Sequence, residues 1–254
     1  MLPESPALDL VFARGGDRTI LVRRMHRWPY EVGRLFPGHG SAPATLIVQS
    51  GSGSIITGDW LGQRIVAEEG ARVRVLGQGA MSVHRASRSA GSGETLHLRA
   101  AAGAWLENIA EPRVLFPGSD FSQETRVEID PGAVVISVEA VVVHPEPGVG
   151  RYRSTLSVIV AGELVAREHG ELAIGDCGPA AFAVVVVAGL SPAVALGLDW
   201  SAWNAATGNR KVYGAVSPLA FDAGVVVRVA AADGRGMRDA VDAALLLLRQ
   251  AGGS

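Results

Sequence analysis

Short runs of valine and alanine, cut by Gly, Pro or Asp at roughly 8–12-residue intervals, restrict this chain to a mainly β fold. Arg72-Val73-Arg74-Val75 alternates strictly, the pattern of a strand buried on one face and wet on the other. The same reasoning places strands at 8–12, 18–23, 45–49, 95–99, 113–116, 125–129, 133–143 and 155–160. Further strands are expected at 163–167, 181–187, 211–216 and 225–229. Helix is scarce. MRDAVDAALLLLRQ, residues 237–250, is built from strong helix formers, carries Asp239 and Asp242 near its start, and is followed by a Gly-Gly stop. A second candidate at 192–206 is interrupted by Gly197. No period of roughly 20–50 residues repeats cleanly, which argues against a sequence-coded solenoid. Without a linker or charge run, the expectation is a single domain over 1–254 with stacked β-sheets and a C-terminal α-helix.

Composition narrows the function. The formal net charge is −2, so no sustained positive field exists to hold nucleic acid. Hydrophobic residues make up 48% and charged ones only 19%, enough for a large core with apolar surface left over for a partner. The longest apolar run, 180–190, is about half of the ~20 residues needed to cross a bilayer and reads as a buried strand, so no membrane role is expected. The opening MLPESPALDLVFARGG lacks a basic stretch followed by an apolar core, and the only cysteine is Cys177. Both point to a cytoplasmic protein without disulfides. Cys177 reads as a small buried or turn residue, or as a transient soft ligand.

Recognised catalytic and metal patterns are absent. The six histidines and Cys177 show no HxH, HExxH or CxxC spacing, and no resident cofactor is expected. His144-Pro-Glu146 and His169-Gly-Glu171 each bring an imidazole near a carboxylate in what reads as solvated loop. Gly51-Ser-Gly-Ser54 is a turn, with neither a nucleophile elbow nor the Lys-Ser/Thr ending of a phosphate loop. The carboxylates Asp59, Glu107, Glu111, Asp120 and Glu139 are more informative, because they fall at strand ends or in apolar surroundings. Glu139, set between Val134–Val138 and Ala140–Val143, is costly to bury unless paired, hydrated or facing a cavity. Two readings stay open for it: an ion pair with Arg151 or Arg153, or the wall of a wet channel or ligand site. Glu107 and Glu139 could also be the two carboxylates of a β-rich carbohydrate-active enzyme. Only 6% of the chain is aromatic, with Trp200 and Trp203 the one close tryptophan pair, which is lean for a sugar site. A metal-free β-sandwich interaction module is the third reading.

Several motifs in register resemble the UreD/UreH family of urease accessory proteins. They are the Gly-rich segment ending in Gly58-Asp59, the Gly70-Ala71 and Val75-to-Gln78 strand, and Gly103-Ala104 with Leu106-Glu107. Glu111-Pro112, Phe116-Pro117-Gly118, Gln123, Glu139 and Gly150-Arg151 follow in order. His84 stands where the family has tyrosine, and Asn108 falls where its Glu-Tyr-Leu-Pro pattern becomes Glu107-Asn-Ile-Ala. The resemblance implies a non-enzymatic maturation scaffold that couples apo-urease to UreF-type and UreG-type partners for nickel insertion. It implies that nickel is cargo in transit through an internal polar passage. Asp59, Gln78, Glu107 and Glu139 are the candidates to line that passage, each lying on or beside an apolar strand. Transit favours scattered oxygen and nitrogen donors over a closed four-ligand cage.

Overall fold

The structure, a computed structural model, describes residues 6–87, 90–175, 178–207 and 211–252; Cys177 lies outside the described residues. The first strands are β1 (Leu8–Gly15), β2 (Arg18–His26), β3 (Tyr30–Phe36), β4 (Ala44–Ser50), β5 (Ser54–Ile55) and β6 (Trp60–Ala67). Next come β7 (Arg72–Gln78), β8 (Met81–Val83), β9 (Ser92–Ala100), β10 (Trp105–Ile109), β11 (Arg113–Leu115) and β12 (Asp120–Ile129). The last are β13 (Val134–Val143), β14 (Gly150–Val160), β15 (Glu163–Ile174), β16 (Ala181–Ala188), β17 (Val212–Pro218) and β18 (Gly224–Ala231). The helices are α1 (Pro192–Leu196), α2 (Ser201–Thr207) and α3 (Gly234–Ala251). Mainly β architecture with a C-terminal helix is what the residue pattern predicts.

The strands form two sheets. One runs β15-β14-β12-β9-β6-β1-β2; the other runs β17-β18-β16-β13-β10-β7-β4-β3. From β4 to β14 the chain passes back and forth between them, adding a parallel strand to each sheet on every circuit. Apolar residues on the facing sides, among them Leu10, Phe12, Leu46, Val73, Leu98, Leu106, Val127 and Val135, fill the space between. A second core forms where α3 lays Met237, Ala240, Val241, Ala244, Leu245 and Leu248 against the outer face of the second sheet. Their spacing follows one stripe of a helix.

The expectation of no repeat is corrected here. Three successive circuits turn through Glu68–Ala71, Ala101–Ala104 and Asp130–Ala133, each ending in Gly-Ala. Ala71, Ala104 and Ala133 donate their N–H to the carbonyls of Glu68, Ala101 and Asp130 at 3.0, 3.0 and 3.1 Å. Gly70, Gly103 and Gly132 take φ of 65°, 66° and 77°, the left-handed conformation required at the third position of such a turn. Unequal strand lengths between the turns blur the period in the sequence.

β3, β5, β6, β8 and β10 were not expected from the sequence. β6 and β10 carry Gln63 and Asn108 among their apolar residues, and both polar side chains line an interior gap described below. α3 starts at Gly234, before the expected residue 237, because Asp233 caps it by accepting from Gly236 N at 2.8 Å. Of the 192–206 candidate, two short helices form, and Gly197 caps the first.

Candidate functional site: a polar gap between the sheets

The second sheet is interrupted at one level. β4 gives way to β5, β7 to β8 and β10 to β11, while β13 runs through unbroken alongside β10 and then β11. The broken segments carry Gly51-Ser-Gly, Gly79-Ala80 and Ala110-Glu-Pro112, residues that suspend regular pairing. A cavity of about 50 Å³ opens at this level, lined by Gln49, Gln63, Gln78, Glu94, Asn108, Glu111, Arg113 and Gln123 among others.

Its inner wall is a buried ion pair. Arg113 donates from Nε and Nη2 to Glu94 Oε2 and Oε1 at 2.7 and 2.9 Å, and from Nη1 to the Glu111 carbonyl at 2.9 Å. The Tyr30 hydroxyl donates to Glu94 Oε1 at 3.4 Å. Burial alone would lower the Arg113 pKa, but the adjacent Glu94 carboxylate holds the guanidinium above its ordinary value. Burial, reinforced by the Glu94 charge, raises the Tyr30 phenol.

Glu139 lies deeper on the same inner face. β13 alternates Val135, Ser137, Glu139 and Val141 inward with Ile136, Val138 and Ala140 outward against α3 and the outer core. Burial pushes the Glu139 carboxyl up to about 7; the nearby Thr125 hydroxyl acts against the shift and the Glu94 charge adds to it. Among the described residues, Thr125 Oγ1 and Glu139 Oε1 are both buried without a hydrogen bond. Beyond them the Tyr152 hydroxyl donates to Gln123 Oε1 at 3.1 Å. The ion pair considered for Glu139 does not form: Arg151 and Arg153 instead hold Asp120 at 2.9 and 2.7 Å.

The four passage candidates do not form one set. Gln78 lines the cavity, where its Oε1 accepts from Gln49 Nε2 at 2.8 Å, while Glu139 is buried in the core and is not among the lining residues. Asp59 closes the turn after β5, its Oδ2 accepting from Ile56 N at 2.9 Å, with Gly58 at φ 86° beside it. Glu107 is buried on the opposite face of the sheet. There it accepts from Arg74 (2.7 and 3.0 Å), Trp105 Nε1 (2.9 Å) and Arg249 of α3 (3.0 and 2.7 Å). Burial would raise its pKa, but these donors outweigh burial and hold it below the ordinary value. Glu107 and Glu139 therefore face opposite sides of one sheet and cannot flank one scissile bond, which removes the basis of the glycosidase reading.

The remaining motif positions are mostly structural. Glu111 pairs with Arg238 of α3 at 2.6 Å, and Pro112 ends the break before β11. Gly150 packs so closely that a Cβ would lie 2.9 Å from the Ser119 carbonyl. His84 and His144 sandwich Phe116 at centroid distances of 5.3 and 4.0 Å; His144 Nδ1 accepts from Glu146 N at 3.2 Å, and His169 Nδ1 lies 3.1 Å from Thr155 Oγ1. Among the described residues, no three His, Cys, Asp or Glu side chains converge as a metal-binding group.

The sequence reading missed Glu94, Arg113 and Tyr30, the strongest interactions of the gap. A signal existed: Glu94 shares its strand face with Leu96, Leu98 and Ala100, which aims a carboxylate into the core.

Comparison with known proteins agrees with the motifs. The family model described as UreD urease accessory protein matches residues 5–254. Urease accessory protein UreD 2 of Bradyrhizobium sp. strain BTAi1 is 35% identical over 261 residues, covering 98% of this chain and 91% of that protein. Urease accessory protein UreD of Mycolicibacterium smegmatis is 35% identical over 251 residues, covering 93% and 88%. Urease accessory protein UreD 1 of Methylorubrum extorquens is 37% identical over 166 residues, covering 59% and 56%. With its whole β-rich length matched, the chain belongs to the UreD family of urease accessory proteins.

Proposed function

We propose that this protein is a non-enzymatic scaffold of urease maturation, coupling apo-urease to UreF-type and UreG-type accessory proteins in the cytoplasm while nickel is inserted. The observation that carries the reading is the family match over residues 5–254. No helix among the described residues is long and apolar enough to cross a membrane.

The gap between the sheets is the proposed path for nickel, which is cargo rather than a resident cofactor. Carboxylate and amide oxygens of Glu94, Asn108, Gln63 and Gln123 suit a hard-to-borderline divalent ion in passage. Gln78 lines this path, and Glu139 is buried behind it, close enough to feel the Glu94 charge. Asp59 belongs to a neighbouring turn and Glu107 to the α3 anchor, so neither is assigned to the path. Exposed Trp28 (69%), Ile56 and Trp60 supply apolar surface of the kind a partner covers.

Deleting the gene in its host and measuring nickel per urease tests this. The scaffold reading expects apo-urease with little nickel, restored by the gene in trans. Fully loaded urease in the deletion strain would overturn it.

A further inference from the structure

At the other end of β7 from the polar gap lies a second, unrelated cavity. It has a volume of about 270 Å³ and is lined by Arg14, Asp17, Arg18, Thr19, Ser41 and Arg72 among others. We propose that this cavity binds a small phosphate-class dianion. Three guanidinium groups stand against one carboxylate there, an excess of two positive charges in a chain whose overall charge is −2.

The chain builds this site from three separate segments. β1 and β2 form a hairpin that pairs Arg14 with Thr19 and Gly15 with Arg18. The Arg72 N–H donates to Thr19 Oγ1 at 2.9 Å, fastening the start of β7 to that hairpin. From the third segment, between β3 and β4, the Ser41 carbonyl accepts from Arg72 Nε at 2.9 Å. The Arg72 guanidinium lies over the Trp105 ring at 5.0 Å, which fixes the plane of the fork. Arg14 passes over Gly70 so closely that a Cβ there would meet its Cδ at 3.3 Å, and its Nε donates to the Gly16 carbonyl at 3.0 Å.

Both anchoring acceptors are neutral carbonyls, so neither neutralises its arginine. Arg72 Nη2 is itself enclosed by protein, whereas Arg14 and Arg18 are exposed at the cavity. Burial also lowers the pKa of Arg72, with the Glu107 charge acting in the other direction. An oxyanion supplies the lacking counter-charge, and arginine forks match the geometry of phosphate oxygens. The volume sets the size of the ligand. At about 270 Å³ the cavity has room for inorganic phosphate or a small phosphomonoester. The inference uses none of the residues assigned to the nickel path and stands apart from the maturation reading.

Equilibrium dialysis of the full chain against radiolabelled inorganic phosphate, at constant ionic strength made up with sodium chloride, tests it. Saturable binding to one site per chain is expected near neutral pH. Loss of a charge-assisted contact weakens it by roughly tenfold or more, in Arg72→Gln and in the double variant Arg14→Gln/Arg18→Gln. Arg14 and Arg18 are exposed, so the double variant keeps the test valid should Arg72→Gln fail to fold. Absence of saturable phosphate binding by the parent chain would overturn the proposal, as would unchanged affinity in the double variant.

Discussion

Glu139 is the residue whose chemistry departs furthest from its ordinary behaviour. Its carboxyl titrates near 7 in the folded chain, against 4.5 when unperturbed. Below about pH 4.5 it is neutral in both folded and unfolded states and adds no cost that depends on pH. As pH rises from there to 7 the folded state binds the extra proton, so stability falls, and above 7 the full cost applies, on the order of 3 kcal/mol. Glu139→Gln should therefore stabilise the protein at pH 8 by up to about 3 kcal/mol and change little at pH 5, read by urea unfolding at the two pH values. An equal effect at both would refute the assignment. Glu94 and Arg113 make the opposite kind of site, buried but satisfied. Arg113→Met should cost about 3–5 kcal/mol by stranding the Glu94 charge, and adding Glu94→Gln should recover part of that loss in a double-mutant cycle. Glu139 is legible as an odd residue because it interrupts a valine run. That neither nearby arginine answers it is not legible, since Arg151 and Arg153 pair with Asp120 and hold its carboxyl below the ordinary range.

At the scale of elements, the Gly-Ala turns and α3 hold the coil in place. Gly103 has open space around it, so Gly103→Ala should cost only the strain of φ 66°, about 1–2 kcal/mol. Gly189 differs: at φ 87° its Cβ would sit 1.9 Å from the Ala133 carbonyl, and Gly189→Ala should prevent folding, visible as loss of soluble protein. α3 is joined to the coil by two ion pairs of unequal value. Arg238→Ala, breaking an exposed bond to Glu111, should cost less than about 1 kcal/mol. Arg249→Ala withdraws two bonds from the fully buried Glu107 and should cost more, roughly 1.5–3 kcal/mol by thermal or urea unfolding. Strands that are nearly continuous valine runs, such as β13 and β16, are legible from the sequence. β6 and β10 are not, because the polar residues that make them line the gap are the same ones that spoil an apolar pattern.

On the scale of the whole molecule, mainly β architecture and a single C-terminal helix follow from composition and punctuation, whereas the two-sheet coil does not. Its turns recur at unequal intervals, and parallel pairing between strands far apart in the chain leaves little local trace. The stacked breaks at Gly51, Gly79 and Pro112 are visible one at a time in the sequence, but only the coil brings them to one level as a gap. The central claim, that this molecule serves nickel insertion into urease, is tested most directly by reconstitution. Purified apo-urease, the UreF-type and UreG-type proteins, GTP and nickel are combined with and without this chain, and nickel bound per urease is measured. Loading that depends on the chain is expected; equal nickel content in its absence would rule out this role.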